Sequence, residues 1–262
     1  MQLLDSVTYT LPPMFKIVAL FALLFTPLLC FAQTIKPRPS MRALKISKDE
    51  APLLDGRLGE SVWQRGTIAG DFRQREPDLG QPATEPTEVR ILYSEDALYF
   101  GVRCYDSDPE SILTTEYRRD DLLLNDDTFT ILLDTFHDHR NGFVFRTNAL
   151  GTKFDAVITD EERDLNLEWD EKWRTAAHIN DEGWVVEIEI PWSTLRSQSE
   201  RLQTWGIDFE RMIRRKAEET YWSNYSRDYQ FWHVSQYGHL LDLEEVQGGL
   251  KMRVKPYGVS GF

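Results

Sequence analysis

Cysteine is nearly missing from this chain. Only Cys30 and Cys104 occur in 262 residues, and Cys30 lies within a segment expected to be cleaved. With Cys104 alone remaining, no internal disulfide can staple the fold, and stability has to come from an apolar core. Positive charge is also in deficit: 30 Lys and Arg stand against 43 Asp and Glu, a net charge of -13. That balance excludes a nucleic-acid partner, which needs a basic surface, and disfavours adsorption to anionic lipid heads. No glycine-rich phosphate loop and no Gly-x-Ser-x-Gly elbow occurs, so neither a nucleotide cradle nor that type of hydrolase nucleophile is encoded. Long apolar runs are limited to Ile17 to Phe31, shorter than the roughly 20 residues of a spanning helix. Lys16 precedes this run and Cys30-Phe31-Ala32 closes it before Gln33, which predicts a cleaved secretory signal over residues 1–32. Met14 makes a more conventional start than Met1, which would leave residues 1–13 outside the translated protein. Lipidation at Cys30 is the alternative, but Leu29 stands where a small residue is expected. Cleavage removes one basic and one acidic residue, Lys16 and Asp5, so the net charge stays at -13.

What is present is a series of short strands with turn signals between them and no long helical period. This pattern predicts an all-β fold, a two-sheet antiparallel β-sandwich with short helical turns, over residues 43–245. The clearest strand pair surrounds a polar turn. Thr128 to Asp134 alternates, with Phe129, Ile131 and Leu133 on one face, as a half-buried strand does. His137 to Gly142 then breaks the pattern, with Asn141-Gly142 suited to reverse the chain. Gly142 to Asn148 returns with Val144, Arg146 and Asn148 on the face opposite Phe143 and Phe145. A guanidinium and an amide would thus share a sheet face able to hold hydroxyl or carboxylate ligands.

Further strands are expected at Ala43 to Ser47, Val89 to Tyr93, Leu98 to Tyr105, Lys153 to Thr159, Trp173 to Ile179 and Trp184 to Ile190. The last carries Trp184, Val186, Ile188 and Ile190 inward. Two more follow around Trp205 to Phe209 and Leu240 to Leu243. Short helices are expected at Glu60 to Trp63 and after Pro191, and loop from Asp71 to Pro86. Cys104 falls on an inward strand position and reads as a small core residue rather than a reactive thiol. Leu250, Met252 and Val254 begin one more strand, so residues 246–262 read as the start of a truncated C-terminal region.

Several clusters invite chemistry. Asp106, Asp108, Asp120, Asp121, Asp126 and Asp127 make an oxygen-rich region that suits a structural calcium, or else simply solvated acidic loops. Glu187 and Glu189 share a strand face roughly 6.6 Å apart by the strand rise, within the range of an inverting carboxylate pair. Adjacent outward glutamates are more often a solvated face, and nothing nearby raises either pKa as a general acid requires. His137 and His139 form a lone His-x-His without the further ligands zinc needs at fixed spacing, and His178, His233 and His239 are scattered. Tyr221, Trp222, Tyr225, Tyr229, Phe231 and Trp232 crowd one segment, either as sugar platforms or as rings packing that segment onto the sandwich.

The order of motifs resembles the family 9 carbohydrate-binding modules. It runs through Leu54-Asp55-Gly56 with Trp63, Val89 to Tyr93 with Leu98-Tyr99-Phe100, Asp127 to Asp134, and Phe145-Arg146-Thr147-Asn148. It continues with Trp184 to Glu187, Ile190-Pro191-Trp192, Gly206 to Phe209 and Tyr237-Gly238. Asp134 to Asp138, Arg140-Asn141-Gly142 and Arg214-Arg215-Lys216 are similar to a branch of uncharacterised bacterial envelope proteins defined by a domain of unknown function. In that branch such a module precedes a region resembling an outer-membrane barrel. The resemblance implies a non-catalytic module that clamps a mono- or oligosaccharide between two Trp rings, with polar groups reading its hydroxyls. Arg146 and Asn148 match the family's pair on the returning strand. Thr130 stands where the family has Glu, Glu210 where it has Gln, and Leu124 where it has the first platform Trp, while the second platform falls near Phe231 and Trp232. The expected ligand-binding set is therefore Arg146, Asn148, Glu210, Phe231, Trp232 and Thr130. The resemblance also implies an exported protein, periplasmic or outer-membrane-associated in a Gram-negative bacterium. Its expected partners are a carbohydrate and the C-terminal barrel-like region. A docking domain without a ligand, and an enzyme or accessory domain of glycoside hydrolysis, are the alternatives.

Overall fold

The computed structural model describes residues 37–229 and 232–246. The expected signal segment, Phe231 and the strand expected at Leu250 lie outside the described residues. Fifteen strands follow in chain order: β1 (Ser40–Arg42), β2 (Leu44–Lys45), β3 (Ile68–Ala69), β4 (Arg73–Glu76), β5 (Thr87–Tyr93), β6 (Ala97–Tyr105), β7 (Thr128–Asp134), β8 (Gly142–Asn148), β9 (Lys153–Thr159), β10 (Asp164–Asn166), β11 (Arg174–Asn180), β12 (Gly183–Pro191), β13 (Leu202–Ile213), β14 (Glu218–Tyr221) and β15 (Gly238–Glu244). A single α-helical turn among the described residues, α1 (Ser61–Arg65), buries Val62 and Trp63.

The strands form two sheets, so the fold is the all-β sandwich expected. One sheet runs β1-β15-β13-β7-β8-β9-β10, with β14 bridging β13 to β4. The other runs β11-β12-β6-β5-β2, with β3 also on β5. Pairing is antiparallel except at β1 with β15 and β2 with β5, which are parallel. Between the sheets lies the core: Phe129, Ile131 and Leu133 from β7, Phe145 from β8 and Phe209 from β13 face Phe100, Val102 and Cys104 from β6 and Val186 and Ile188 from β12. Phe209 stands at its centre, stacked at 5.8 Å on Phe129 and edge-on to Phe100 at 6.3 Å. Burial of the Cys104 thiol pushes its pKa to about 12, in keeping with an inert core residue.

Four local expectations are corrected. The reversal between β7 and β8 does not use Asn141-Gly142; Gly142 already belongs to β8, and His137 and His139 take the left-handed positions. The carboxylate of Asp134 holds this turn by accepting the N–H groups of Asp138 and His139. Within the expected loop from Asp71 to Pro86, β4 pairs with β14, so the polar text there conceals a strand. After Pro191 the chain makes turns, Thr194 donating to Pro191 and Leu195 to Trp192, rather than a helix. Finally, β7 is buried on both faces, not on one. Trp232, Val234 and Tyr237 lie over the outer face of this sheet, where they cover Leu132, Val144, Phe154, Ala156 and Ile158. That second apolar layer decides the character of the site.

Candidate functional site

Cross-strand register assembles the site. Tyr221, Glu210, Thr130, Arg146 and Phe154 are successive partners across β14, β13, β7, β8 and β9, so their side chains form one row on the outer face. The next row contains Glu219, Met212, Thr128 and Asn148.

In the first row Arg146 donates through Nε to Thr130 Oγ1 at 2.9 Å and through Nη2 to Glu210 Oε2 at 2.9 Å and Oε1 at 3.2 Å. Its Nη1 donates to the Leu122 carbonyl at 3.1 Å. Above the pair lies Trp232, with the guanidinium carbon 5.0 Å from its ring centre and Nε1 donating to Glu210 Oε2 at 3.1 Å. Four of the predicted residues, Thr130, Arg146, Glu210 and Trp232, therefore meet. The neutralised pair is largely sealed: Arg146 keeps 7% of its surface and Glu210 4%. Such a pair is tolerable away from water only because each charge is hydrogen-bonded as well as paired.

Two predicted members sit differently. Asn148 is fully buried in a separate knot, donating to Asp126 Oδ2 at 2.7 Å and the Glu116 carbonyl at 2.9 Å while accepting from Leu150 and Thr152 N–H. All of its amide geometry is used to fix the loop before β7 and the turn after β8. Trp232 is not an open stacking platform either. Its ring packs between the Arg146 guanidinium and Phe154, whose centre is 6.5 Å away, and only 6% of the residue is exposed.

Over this floor opens a cavity of about 320 Å³. Its walls include Leu122, Leu123, Leu124, Leu165 and Leu167, with Arg146, Glu210, Glu219 and Trp232 below. Leu124 is 58% exposed, Leu165 38% and Leu167 45%, so an aliphatic rim surrounds a polar base. Leu124 was legible as the position of the first platform. Leu165 and Leu167 carried no signal because they lie in and beside the short β10, without periodicity. Glu219 was equally silent. Tyr221 Oη donates to it at 2.6 Å, and burial together with the Glu210 charge raises its pKa.

The remaining carboxylate candidates are engaged in contacts that hold the fold. Glu187 is buried, not a solvated strand residue; its carboxylate accepts N–H groups of Asp55, Gly56 and Arg57 and the Trp63 indole N–H at 3.0 Å. It thereby anchors α1 and the Leu54-Asp55-Gly56 turn, and burial raises its pKa. Glu189 pairs with Arg174 instead. Among the aspartates, Asp106 takes both Arg215 amines at 2.6 and 2.7 Å, Asp126 accepts from Thr115 and Glu116, and Asp127 accepts from Arg214 N–H. Asp120 does approach Asp155 and Asp170, but the Arg119 guanidinium pairs with all three. A cation of the chain's own already lies among these carboxylates.

The two-layer strand order, with a row of polar residues beneath a rimmed cavity on one sheet, defines a β-sandwich with a candidate site on its outer face. The chain belongs to the carbohydrate family 9 binding domain-like family, whose model matches residues 54–241. A family 9 carbohydrate-binding module from Caldicellulosiruptor kristjanssonii, solved with cellotriose, superposes with a TM-score of 0.55 at 14% identity, covering 82% of this chain and 100% of that one. Its glucose complex gives a TM-score of 0.56 at 14% identity, covering 83% and 100%. A Bacteroides uniformis protein proposed to bind carbohydrate gives a TM-score of 0.63 at 13% identity, covering 78% and 99%. No curated protein matches the chain.

Proposed function

We propose that this chain is a non-catalytic carbohydrate-binding module of an exported protein, taking a mono- or oligosaccharide in the cavity above Arg146 and Glu210. The family match across residues 54–241 carries this reading. The cavity supports it, since about 320 Å³ lies within the usual range of small-molecule pockets. Its aliphatic rim meets the C–H face of a pyranose, while the second Arg146 Nη1 hydrogen and the Glu219 carboxylate serve hydroxyls. Titration of the purified chain with glucose, cellotriose and a panel of other sugars, followed by calorimetry, tests it. Binding should weaken at least about tenfold in Leu124→Ala, the loss of a well-packed apolar contact. It should be unchanged in Trp169→Ala, in a separate cleft near Phe143. No heat with any sugar overturns the reading.

One observation favours a second reading. Most of the Arg146 donors in the floor are already taken by Thr130, Glu210 and the Leu122 carbonyl, and the rim is leucine rather than aromatic. A docking module would use that rim against an apolar protein surface, such as an outer-membrane barrel-like region following this domain. A longer chain in which Leu124→Asp separates the two parts, as read by limited proteolysis, supports this reading; unaltered cleavage removes it.

A further inference from the structure

At the other end of β7 the same outer face carries a second register row. His239 of β15 pairs with Gly206 of β13, which pairs with Asp134 of β7. Gly206 has no side chain to fill the space between the imidazole and the carboxylate, and a Cβ there would meet Asp134 Cβ at 3.0 Å. Into this notch the β7–β8 turn folds His137 and His139, both held at left-handed backbone positions by the Asp134 clamp. Two imidazoles of this turn thus meet a third from the distant strand β15. Ring centres are 4.6 Å apart for His137 and His139, and 5.4 Å for His137 and His239. Asp134 Oδ2 lies 3.9 Å from His139 Nδ1.

We propose that His137, His139 and His239 form a binding site for a borderline divalent transition metal of the zinc class, with Asp134 as its carboxylate neighbour. Two imidazoles on one tetrahedral ion, with bonds of about 2.0–2.1 Å, place their ring centres on the order of 5 Å apart, the spacing seen here. His137 Nε2 and His239 Nδ1 are buried and find no hydrogen-bond partner among the described residues. Buried ring nitrogens normally have one, and a ligand would satisfy them. Burial holds His137 and His239 below the usual histidine pKa, with the neighbouring imidazoles and the Arg38 guanidinium acting in the same direction. As placed, the rings meet edge to face, so ligation requires them to turn about their side-chain bonds until the nitrogens share one centre. Imidazoles select zinc, nickel or copper over calcium. The site is separate from the sugar cavity: Asp134 lies four residues from Thr130, roughly 13 Å along β7.

The test is calorimetric titration of the full chain, free of any polyhistidine tag, with zinc chloride and, separately, calcium chloride. One equivalent of zinc should bind, with no response to calcium at the same concentration. His239→Asn, which keeps the polar shape, and His137→Ala should each weaken zinc binding at least about tenfold, while His178→Ala, on the exposed edge strand β11, should not. Cobalt substitution supplies a second readout: the visible bands of a nitrogen-ligated ion should appear in the parent chain and vanish in His239→Asn. Absence of zinc binding, or equal binding in the parent and both variants, overturns the proposal. Neither result bears on sugar binding, which is read by a different titration.

Discussion

Glu210 is where the chain concentrates its most costly contact. A carboxylate that is nearly sealed accepts from Arg146 twice and from Trp232 once. Removing one charge of such a pair strands the other without solvent, so Arg146→Met should destabilise the fold by roughly 3–5 kcal/mol, read as a fall in urea midpoint. The double variant Arg146→Met, Glu210→Met should recover most of that loss, because two apolar side chains of similar volume leave no stranded charge. Glu187 makes the same point for a single acid. Its four hydrogen-bond donors all point at one carboxylate, and an amide in its place would turn its own N–H toward some of them. Glu187→Gln should therefore lower stability by about 1–3 kcal/mol. Glu189→Gln, which breaks a pair with the largely exposed Arg174, should cost under about 1 kcal/mol. A glycosidase would instead lose turnover in Glu187→Gln with stability intact.

Among the elements, the segment from Trp222 to Tyr237 does most to set the site apart from a bare sheet. It is tied down at its start by Asp208, which accepts the N–H groups of Ser223 and Asn224 at 2.8 Å each. Further along, Arg75 of β4 donates to the carbonyls of Ser226 and Tyr229 at 2.7 Å each. In the opposite wall Leu123 is buried and Leu122 packs against the outer apolar layer, and only Leu124 projects into solvent. Leu124→Ala should therefore leave the thermal midpoint within the scatter of a surface change, about 0.5 kcal/mol, while weakening whatever the cavity holds. A stability loss of several kcal/mol in that variant would mean the rim belongs to the core. At this scale the sequence was misleading in one respect. The alternation in β7 signals one buried face, and Thr128, Thr130 and Asp134 look solvated. Segments distant along the chain bury this face, Trp232, Val234 and Tyr237 over Leu132 among them, and periodicity within a strand carries no information about what will later cover it.

Across the whole molecule, buried acids and a net charge of -13 act in the same direction. Burial raises Asp127 to about 6, Glu162 to about 7 and Asp208 to about 7. A carboxyl raised in the fold binds its proton more tightly there than in the unfolded chain. Its contribution is complete below the unfolded value near 4 and is lost as pH rises through 6 to 7. Self-repulsion among the excess acids grows over the same range. The thermal midpoint should accordingly be higher at pH 5 than at pH 8. Glu162→Gln, which no longer titrates, should flatten part of that slope. At the acid end, Asp126 and Asp138, whose pKa values are lowered by their hydrogen bonds despite burial, lose their contribution as pH falls below the usual carboxylate range. A midpoint that climbs steadily from pH 5 to pH 8 would contradict this.

The sequence by itself determined the layers. Period-two alternation fixed which residues of β6, β7, β12 and β13 face one another across the core, because sheet geometry permits only two faces and the apolar set must choose one. Alternation along the returning strand put Arg146 and Asn148 on one face, and turn chemistry marked where the chain reversed, though not through which residues. What only the tertiary structure decided was solvent. Whether Arg146 would meet water or Glu210, whether Trp232 would offer its ring or hide it, and whether His239 would find His137 depend on segments far apart in the chain. Desolvation is a property of what closes over a group, and no local pattern records it.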